Sequence, residues 1–338
     1  YGAQSGTIIV MDPQNGEILA MASTPRMNLS NYSQYDDIFD SASEYNRAIN
    51  MPYEPGSVMK VLTMAAALDL GVVTPQTSYT DVGYFPIGGA TIRNWDEEAW
   101  GIQDMTGCLQ HSLNVCLAWI AVEMGTDNFY GYMSKFGFGH PTGIDLSGEA
   151  GGRLKVPGDA DWYPVDLATN SFGQGITATP IQMMMATSAV ANNGVMVTPH
   201  LLYGMVRDDK QYDFPPQNAG NPISKETAQT LNEMLANSLA LEESEALVPN
   251  YRLAGKTGTA QIPTEYGWYA SEETNTSFIG WGPVDDPQFM IYVWLEKPTT
   301  SIWASKTAAP VFGEVAEETI RLFNIPPDYI RQQYASGQ

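Results

Sequence analysis

The decisive stretch is "YEPGSVMK", residues 53–60. Pro55 and Gly56 suit irregular backbone just before a helix, and the apolar pattern that follows carries the helix on. A spacing of three places Ser57 and Lys60 on neighbouring surface of one helix. A hydroxyl and an amine therefore sit side by side. An unactivated serine hydroxyl needs a nearby base to become a nucleophile, and a lysine can serve once it is neutral. Burial and a second cation nearby are the two routes that lower a lysine pKa that far. Taken alone, S-x-x-K is common and reads first as a helix start with Ser as cap and Lys in solvent.

Working outward, "SGTIIVMDPQNGEILAMAS" reads as two strands joined through Asn15-Gly16, a strong short hairpin signal. A polar, tyrosine-rich stretch runs from Asn28 to Asn46, and the Ser57 helix is expected to end at a Gly71 cap. Residues 104–125 read as mainly helical with an interruption near His111 to Asn114. Thr179 to Asn193 reads as a helix with Pro180 in its first turn, and "SKETAQTLNEMLANSLAL" as an amphipathic helix with a serine cap. Strands then return in "YRLAGKTGTAQI", "NTSFIGWGPV" and "QFMIYVWLEK", the last two joined through Asp285-Asp286-Pro287, before a helix from about Lys306 to Phe323.

Short connections between consecutive strands point to an antiparallel sheet flanked by helices, an α+β fold class. With 338 residues and 43% hydrophobic content the chain can bury a sizeable core. No repeat, low-complexity tract or linker divides it. A single domain, 1–338, is expected, with 1–56 and 195–338 forming mainly a sheet lobe and 57–194 mainly a helical lobe that carries the Ser57 helix.

A formal charge of −22, from 38 acidic against 16 basic residues, argues against a nucleic-acid partner. His111, His140 and His200 lack metal-ligand spacing, so no metal and no cofactor are expected. Cys108 and Cys116, if on one continuous helix, lie about 12 Å apart, too far to bond, and read as buried free thiols. No window approaches the roughly 18 apolar residues of a membrane span. No signal peptide opens the chain, which enters a strand pattern almost at once, so a piece trimmed from something longer is expected.

Two more patterns carry chemistry. Ser112-Leu113-Asn114 places two polar groups that can share one cleft only in a turn between helices; otherwise it is a polar loop or an N-cap. In the strand-like Lys256-Thr257-Gly258-Thr259, alternation sends the threonines to one side and Lys256 with Gly258 to the other. Glycine there reads as clearing a ligand's approach, and hydroxyls with an ammonium suit a carboxylate.

S-x-x-K, then S-x-N, then K-T-G, in that order with wide gaps, is the motif set of penicillin-binding proteins and class A β-lactamases. With "NRAI", "YEPGS", "SFGQGITATPIQ", "KTGTAQ" and "SFIGWGPV" in order, the chain resembles the transpeptidase domain of a class B penicillin-binding protein over almost its whole length. Val58 and Met59 stand where Thr-Phe is usual, and Leu113 where Ser often sits. The amino-terminal membrane anchor and pedestal that such enzymes usually carry are not seen in this stretch, in keeping with the expectation of a piece trimmed from something longer.

The resemblance implies the penicillin-binding transpeptidase fold and a peptidoglycan D,D-transpeptidase, located on the extracytoplasmic side of the bacterial cytoplasmic membrane. Its partners would be stem peptides, β-lactam antibiotics, and cell-elongation or division membrane proteins. It implies Ser57 as nucleophile, Lys60 as its base, Ser112 as proton relay held by Lys256, and Asn114 on the acyl side chain's amide. Thr257 and Thr259 would grip the terminal carboxylate, with Gly258 between them, and the N–H groups of Ser57 and Thr259 would form the oxyanion hole. A D,D-carboxypeptidase differs only in the group that resolves the acyl-enzyme. A serine β-lactamase needs a deacylation base that no recognisable motif supplies, and an idle binding module would not require all these side chains.

Trp95, Trp100, Trp268 and Trp281 read as packing residues that could border the cleft, and Met183 to Met185 as core. Lys60, Lys256 and Arg252 are the cations expected to outweigh the overall acidity locally.

Overall fold

The computed structural model describes residues 1–26, 28, 30, 46–263 and 273–335. Strand β1, Ser5–Met11, and strand β2, Ile18–Thr24, form the hairpin expected around Asn15-Gly16. Asp12 organises the turn: its carboxylate accepts from the Gln14 N–H at 2.8 Å and from the Asn15 amide at 2.9 Å. Three strands from the far end of the chain complete the sheet: β3, Ala254–Gln261, β4, Thr274–Gly282, and β5, Phe289–Glu296. Their order is β3-β4-β5-β1-β2, every pair antiparallel.

The helices, in chain order, are α1 (Arg47–Asn50), α2 (Lys60–Asp69), α3 (Met105–Gln110), α4 (Asn114–Met124), α5 (Thr126–Lys135), α6 (Pro164–Ser171), α7 (Pro180–Ala191), α8 (Lys225–Leu241), α9 (Ala308–Leu322) and α10 (Asp328–Ala335). Several ends follow the sequence. Thr179 and Ser224 cap α7 and α8 through their hydroxyls. Gly71, at φ 74°, ends α2 with its N–H on Leu68 and the Val72 N–H on Ala67.

Period-two burial divides the sheet between two cores. Ile9, Met11, Ile279, Trp281, Met290, Tyr292 and Trp294 face the core built with α2, α4, α7 and α8. Val10, Phe278, Phe289, Ile291 and Val293 face α9, where Phe278 and Phe312 sit 4.5 Å apart between ring centroids. Met183 to Met185 are buried in the first core, as expected. Among the described residues no helix is long and apolar enough to cross a membrane.

The cysteines depart from the sequence reading. Cys108 and Cys116 form a disulfide, with Cα atoms 6.1 Å apart. The 12 Å expectation assumed one continuous helix, whereas the chain reverses between α3 and α4 and folds the two sulfurs together. Ser112 makes that reversal at φ 52°.

Candidate active site

The Ser57 helix begins as a tight turn. Residues Gly56–Met59 are 3-10, and α2 takes over at Lys60, whose N–H bonds back to the carbonyls of Ser57 and Val58. Gly56 is required here: at φ 60°, an added Cβ would approach the Thr259 carbonyl oxygen to 2.9 Å. The turn is clamped from behind by "SFGQG". The Gly56 N–H donates to the Gly173 carbonyl at 3.0 Å, and the Gly175 N–H donates to the Glu54 carboxylate at 2.9 Å.

Val58 and Met59 are fully buried, so these departures from the usual motif lie in the core and do not line the cleft. Lys60 is fully buried as well. Its Nζ donates to the Ser112 carbonyl at 2.6 Å, to Ser112 Oγ at 3.1 Å and to Asn114 Oδ1 at 2.8 Å. Burial first, then the positive charge of Lys256, push its pKa well below the ordinary lysine range. Lys256, 3% exposed, is itself lowered by burial, with Glu242 opposing.

The S-x-N segment is the turn between helices that the pattern required. Asn114 opens α4, its Nδ2 donating to the Arg93 carbonyl at 3.1 Å, while Leu113 is fully buried. Ser57, Ser112, Asn114, Lys256, Thr257 and Thr259 all line one cleft of about 1190 Å³. The three motifs meet, although they lie some 200 positions apart at the extremes, from Ser57 to Thr259. A family model described as the penicillin binding protein transpeptidase domain matches residues 6–317.

The chain belongs to the penicillin-binding protein transpeptidase domain family.

Relatives agree. Stage V sporulation protein D of Bacillus subtilis is 34% identical over 94% of this chain and 49% of its own length. Penicillin-binding protein PbpB of Mycolicibacterium smegmatis is 32% identical over 96% of this chain and 51% of its own. This transpeptidase domain thus spans about half the length of the curated relatives it matches. Penicillin-binding protein 3 of Mycobacterium tuberculosis, solved in complex with aztreonam, superposes with a TM-score of 0.87 at 29% identity, covering 96% of this chain and 74% of that one.

Within the transpeptidase cleft several placements differ from the motif reading. Among the hydrogen bonds of the described residues, none joins Lys60 to Ser57, or Lys256 to Ser112. The Lys256 ammonium instead donates to Thr257 Oγ1 at 3.2 Å. Thr259 Oγ1 accepts from the Ala304 N–H at 3.1 Å, leaving its own hydroxyl proton to donate. Gly258 does not clear a ligand's path: an added Cβ would meet Ser277 Oγ at 2.5 Å, Val58 at 2.9 Å and the Pro55 carbonyl at 3.0 Å. Its bareness lets β3 lie against the Pro55 to Val58 turn.

Arg252 stays out of the cleft, paired with Glu233 at 2.8 Å. Cleft-lining charges that the motifs did not reveal are Arg93, Glu97, Glu242 and Lys306. Glu242 is exposed at the cleft mouth yet crowded by protein, which raises its pKa against the favourable charge of Lys256.

Trp95 and Trp100 do border the cleft, Trp281 is core, and Trp268 lies outside the described residues. Trp95 also meets Trp303 from the opposite wall, ring centroids 5.1 Å apart, and Trp100 stacks on His111 at 3.9 Å. No sequence pattern marks Trp303 or Asn94. Asn94 Oδ1 accepts from the Val115 N–H at 3.2 Å and so fixes the first turn of α4.

Proposed function

We propose that this domain is a peptidoglycan D,D-transpeptidase that works through an acyl-enzyme on Ser57. The observation that carries this reading is Lys60: a fully buried amine one turn after Ser57, held by Ser112 and Asn114, which line one cleft together with Ser57 and a second cation, Lys256. Neutral Lys60 has two N–H groups, which stay on the Ser112 carbonyl and Asn114 Oδ1, and turns its lone pair to the Ser57 hydroxyl to take the proton. Ser57 Oγ then bonds to the carbonyl carbon between the two terminal D-alanines, and the C–N bond breaks. Ser112, one hydrogen bond from Lys60 at 3.1 Å, passes the proton to the departing D-alanine amine.

The missing Ser57–Lys60 bond fits this sequence, since catalytic hydrogen bonds often tighten only in the substrate complex. Thr257 and Thr259 hold the substrate carboxylate under the positive potential of Lys256, and Asn114 holds the acyl chain's amide. The N–H groups of Ser57 and Thr259 receive the oxyanion, an interaction whose loss commonly costs about a hundredfold or more in rate. An amine of a second stem then attacks the ester, freeing Ser57 and completing the crosslink.

β-Lactams enter the same cleft and stay as the Ser57 ester. The chain works outside the cytoplasmic membrane, where its substrate lies and where a disulfide such as Cys108–Cys116 persists. Elongation or division membrane proteins are its partners there. Residues 1–338 act as one domain, the sheet lobe of 1–56 and 195–338 meeting the helical lobe of 57–194 at the cleft.

Incubation of a D-Ala-D-Ala donor peptide with an amine acceptor tests the reading. Crosslinked product that disappears with Ser57→Ala is expected. Release of D-alanine with only hydrolysed donor would make the chain a carboxypeptidase, and rapid multiple turnover of nitrocefin would make it a β-lactamase.

A further inference from the structure

The disulfide brackets a cleft-lining turn with left-handed backbone. Cys108, in the last turn of α3, and Cys116, in the first turn of α4, are separated by eight positions and enclose Ser112-Leu113-Asn114. Both cysteines are fully buried. Inside this small ring Ser112 adopts φ 52°, a left-handed conformation that a serine holds only when its surroundings over-determine it.

Two backbone bonds fix the reversal: the Ser112 N–H to the Leu109 carbonyl at 3.1 Å, and the Leu113 N–H to the carbonyl of Cys108 itself at 3.0 Å. All three acceptors on Lys60 Nζ, the Ser112 carbonyl, Ser112 Oγ and Asn114 Oδ1, come from the enclosed segment. The crosslink therefore joins the two helices that set this turn, and no distant part of the chain.

We propose that the Cys108–Cys116 disulfide is a positioning element for acyl transfer, holding Ser112 and Asn114 against Lys60. This rests on the reading of Ser57 as nucleophile. Two unbonded sulfurs need van der Waals separation, so opening the bond drives the facing turns of α3 and α4 apart and relaxes Ser112 out of its left-handed conformation. Lys60 then loses its fixed acceptors and gains water. The charged group facing it is Lys256 from β3, with Glu242 beside Lys256 at the end of α8, while His111, next to the turn, stacks on Trp100. His111 lies inside the 108–116 ring and moves with the turn, whereas Lys256 and Glu242 are not displaced directly, so the change at Lys60 comes from solvation. Hydration eases its protonation, and at a given pH less neutral base remains.

The test compares the oxidised chain with the same chain reduced by a phosphine, which preserves side-chain volume in the core. Reduction is scored by thiol titration, zero against two, because the chain has only two cysteines. Acylation of Ser57 by a fluorescent penicillin is then followed across pH, at a temperature where circular dichroism shows both forms folded. The reduced chain should react roughly ten- to a hundredfold more slowly, as expected for displacements approaching 1 Å at a reacting group. The acidic limb of its rate profile should move to higher pH, and reoxidation should restore both.

If the bond resists reduction, Cys108→Ala/Cys116→Ala is compared in the same way and should show the same loss and shift. Equal rates and coincident pH profiles in the two forms would overturn the inference while leaving the proposed function standing. A chain that never labels at Ser57 in either form would overturn both.

Discussion

Gly173→Ala should displace the turn that carries Ser57 without altering any side chain that lines the cleft. At φ 84° the added methyl would lie 2.2 Å from the Gly56 carbonyl oxygen, 2.5 Å from its nitrogen and 2.8 Å from its carbonyl carbon. Real Cβ contacts hardly ever fall under 3.0 Å, so the two backbones must part by at least 0.8 Å, the difference between 3.0 and 2.2 Å. That displacement falls directly on the residue preceding Ser57 and also breaks the 3.0 Å bond from the Gly56 N–H to Gly173.

Left-handed backbone strain of about 1–2 kcal/mol and overpacking of about 1–3 kcal/mol combine to a loss of roughly 2–5 kcal/mol in stability. A misplacement near 1 Å costs about a hundredfold in rate. Gly71→Ala is the matched control: its φ is 74°, with nothing within 4 Å of the added methyl, so it carries the strain and not the clash. It should lose about 1–2 kcal/mol and keep its acylation rate. Stopped-flow labelling with a fluorescent penicillin and urea denaturation of all three chains provide the assay. A Gly173→Ala chain that acylates at the wild-type rate, or a Gly71→Ala chain that slows as much, would show that the Gly56–Gly173 contact does not position Ser57.

Acylation should speed up as pH rises through the lowered pKa of Lys60, because burial and Lys256 both disfavour its charged form. Lys256→Gln removes the neighbouring cation, so Lys60 should hold its proton more tightly and the acidic limb should move to higher pH; a limb that stays put or moves down contradicts the assignment. Asn94→Ala should cost about 1–3 kcal/mol. Asn94 is 3% exposed and serves the Val115 N–H at 3.2 Å, the Asp81 carboxylate at 2.8 Å and the Glu98 carbonyl at 3.1 Å. Acylation should slow with it, as α4 loses part of its anchoring, and a fully stable variant in thermal denaturation would count against that role.

What the sequence shows directly is chemistry compressed into a few adjacent residues. Asn15-Gly16 marks a hairpin because the turn is local, and Thr179-Pro180 and Ser224 mark helix starts for the same reason. Ser57 to Lys60, Ser112 to Asn114 and Lys256 to Thr259 are legible because each is a short run of reactive types. Placement by tertiary structure is not legible. Trp303 and Glu242 reach the cleft from a loop and a helix end with no pattern of their own.

Gly258 shows the limit within a motif: alternation gives its side of the strand, but only packing shows that the occupant there is the Pro55 to Val58 turn. The cysteines show it for distance. A spacing of eight becomes 6.1 Å once Ser112 turns the chain left-handed, and serine does not advertise that conformation as glycine does.

Ser57 is the residue proposed to become acylated. Labelling with a radioactive or fluorescent penicillin, proteolysis and mass mapping test it most directly. One adduct per chain, confined to the peptide that contains Ser57 and absent from Ser57→Ala, is predicted; an adduct on Ser112 or any other residue, or labelling that survives Ser57→Ala, would contradict the account.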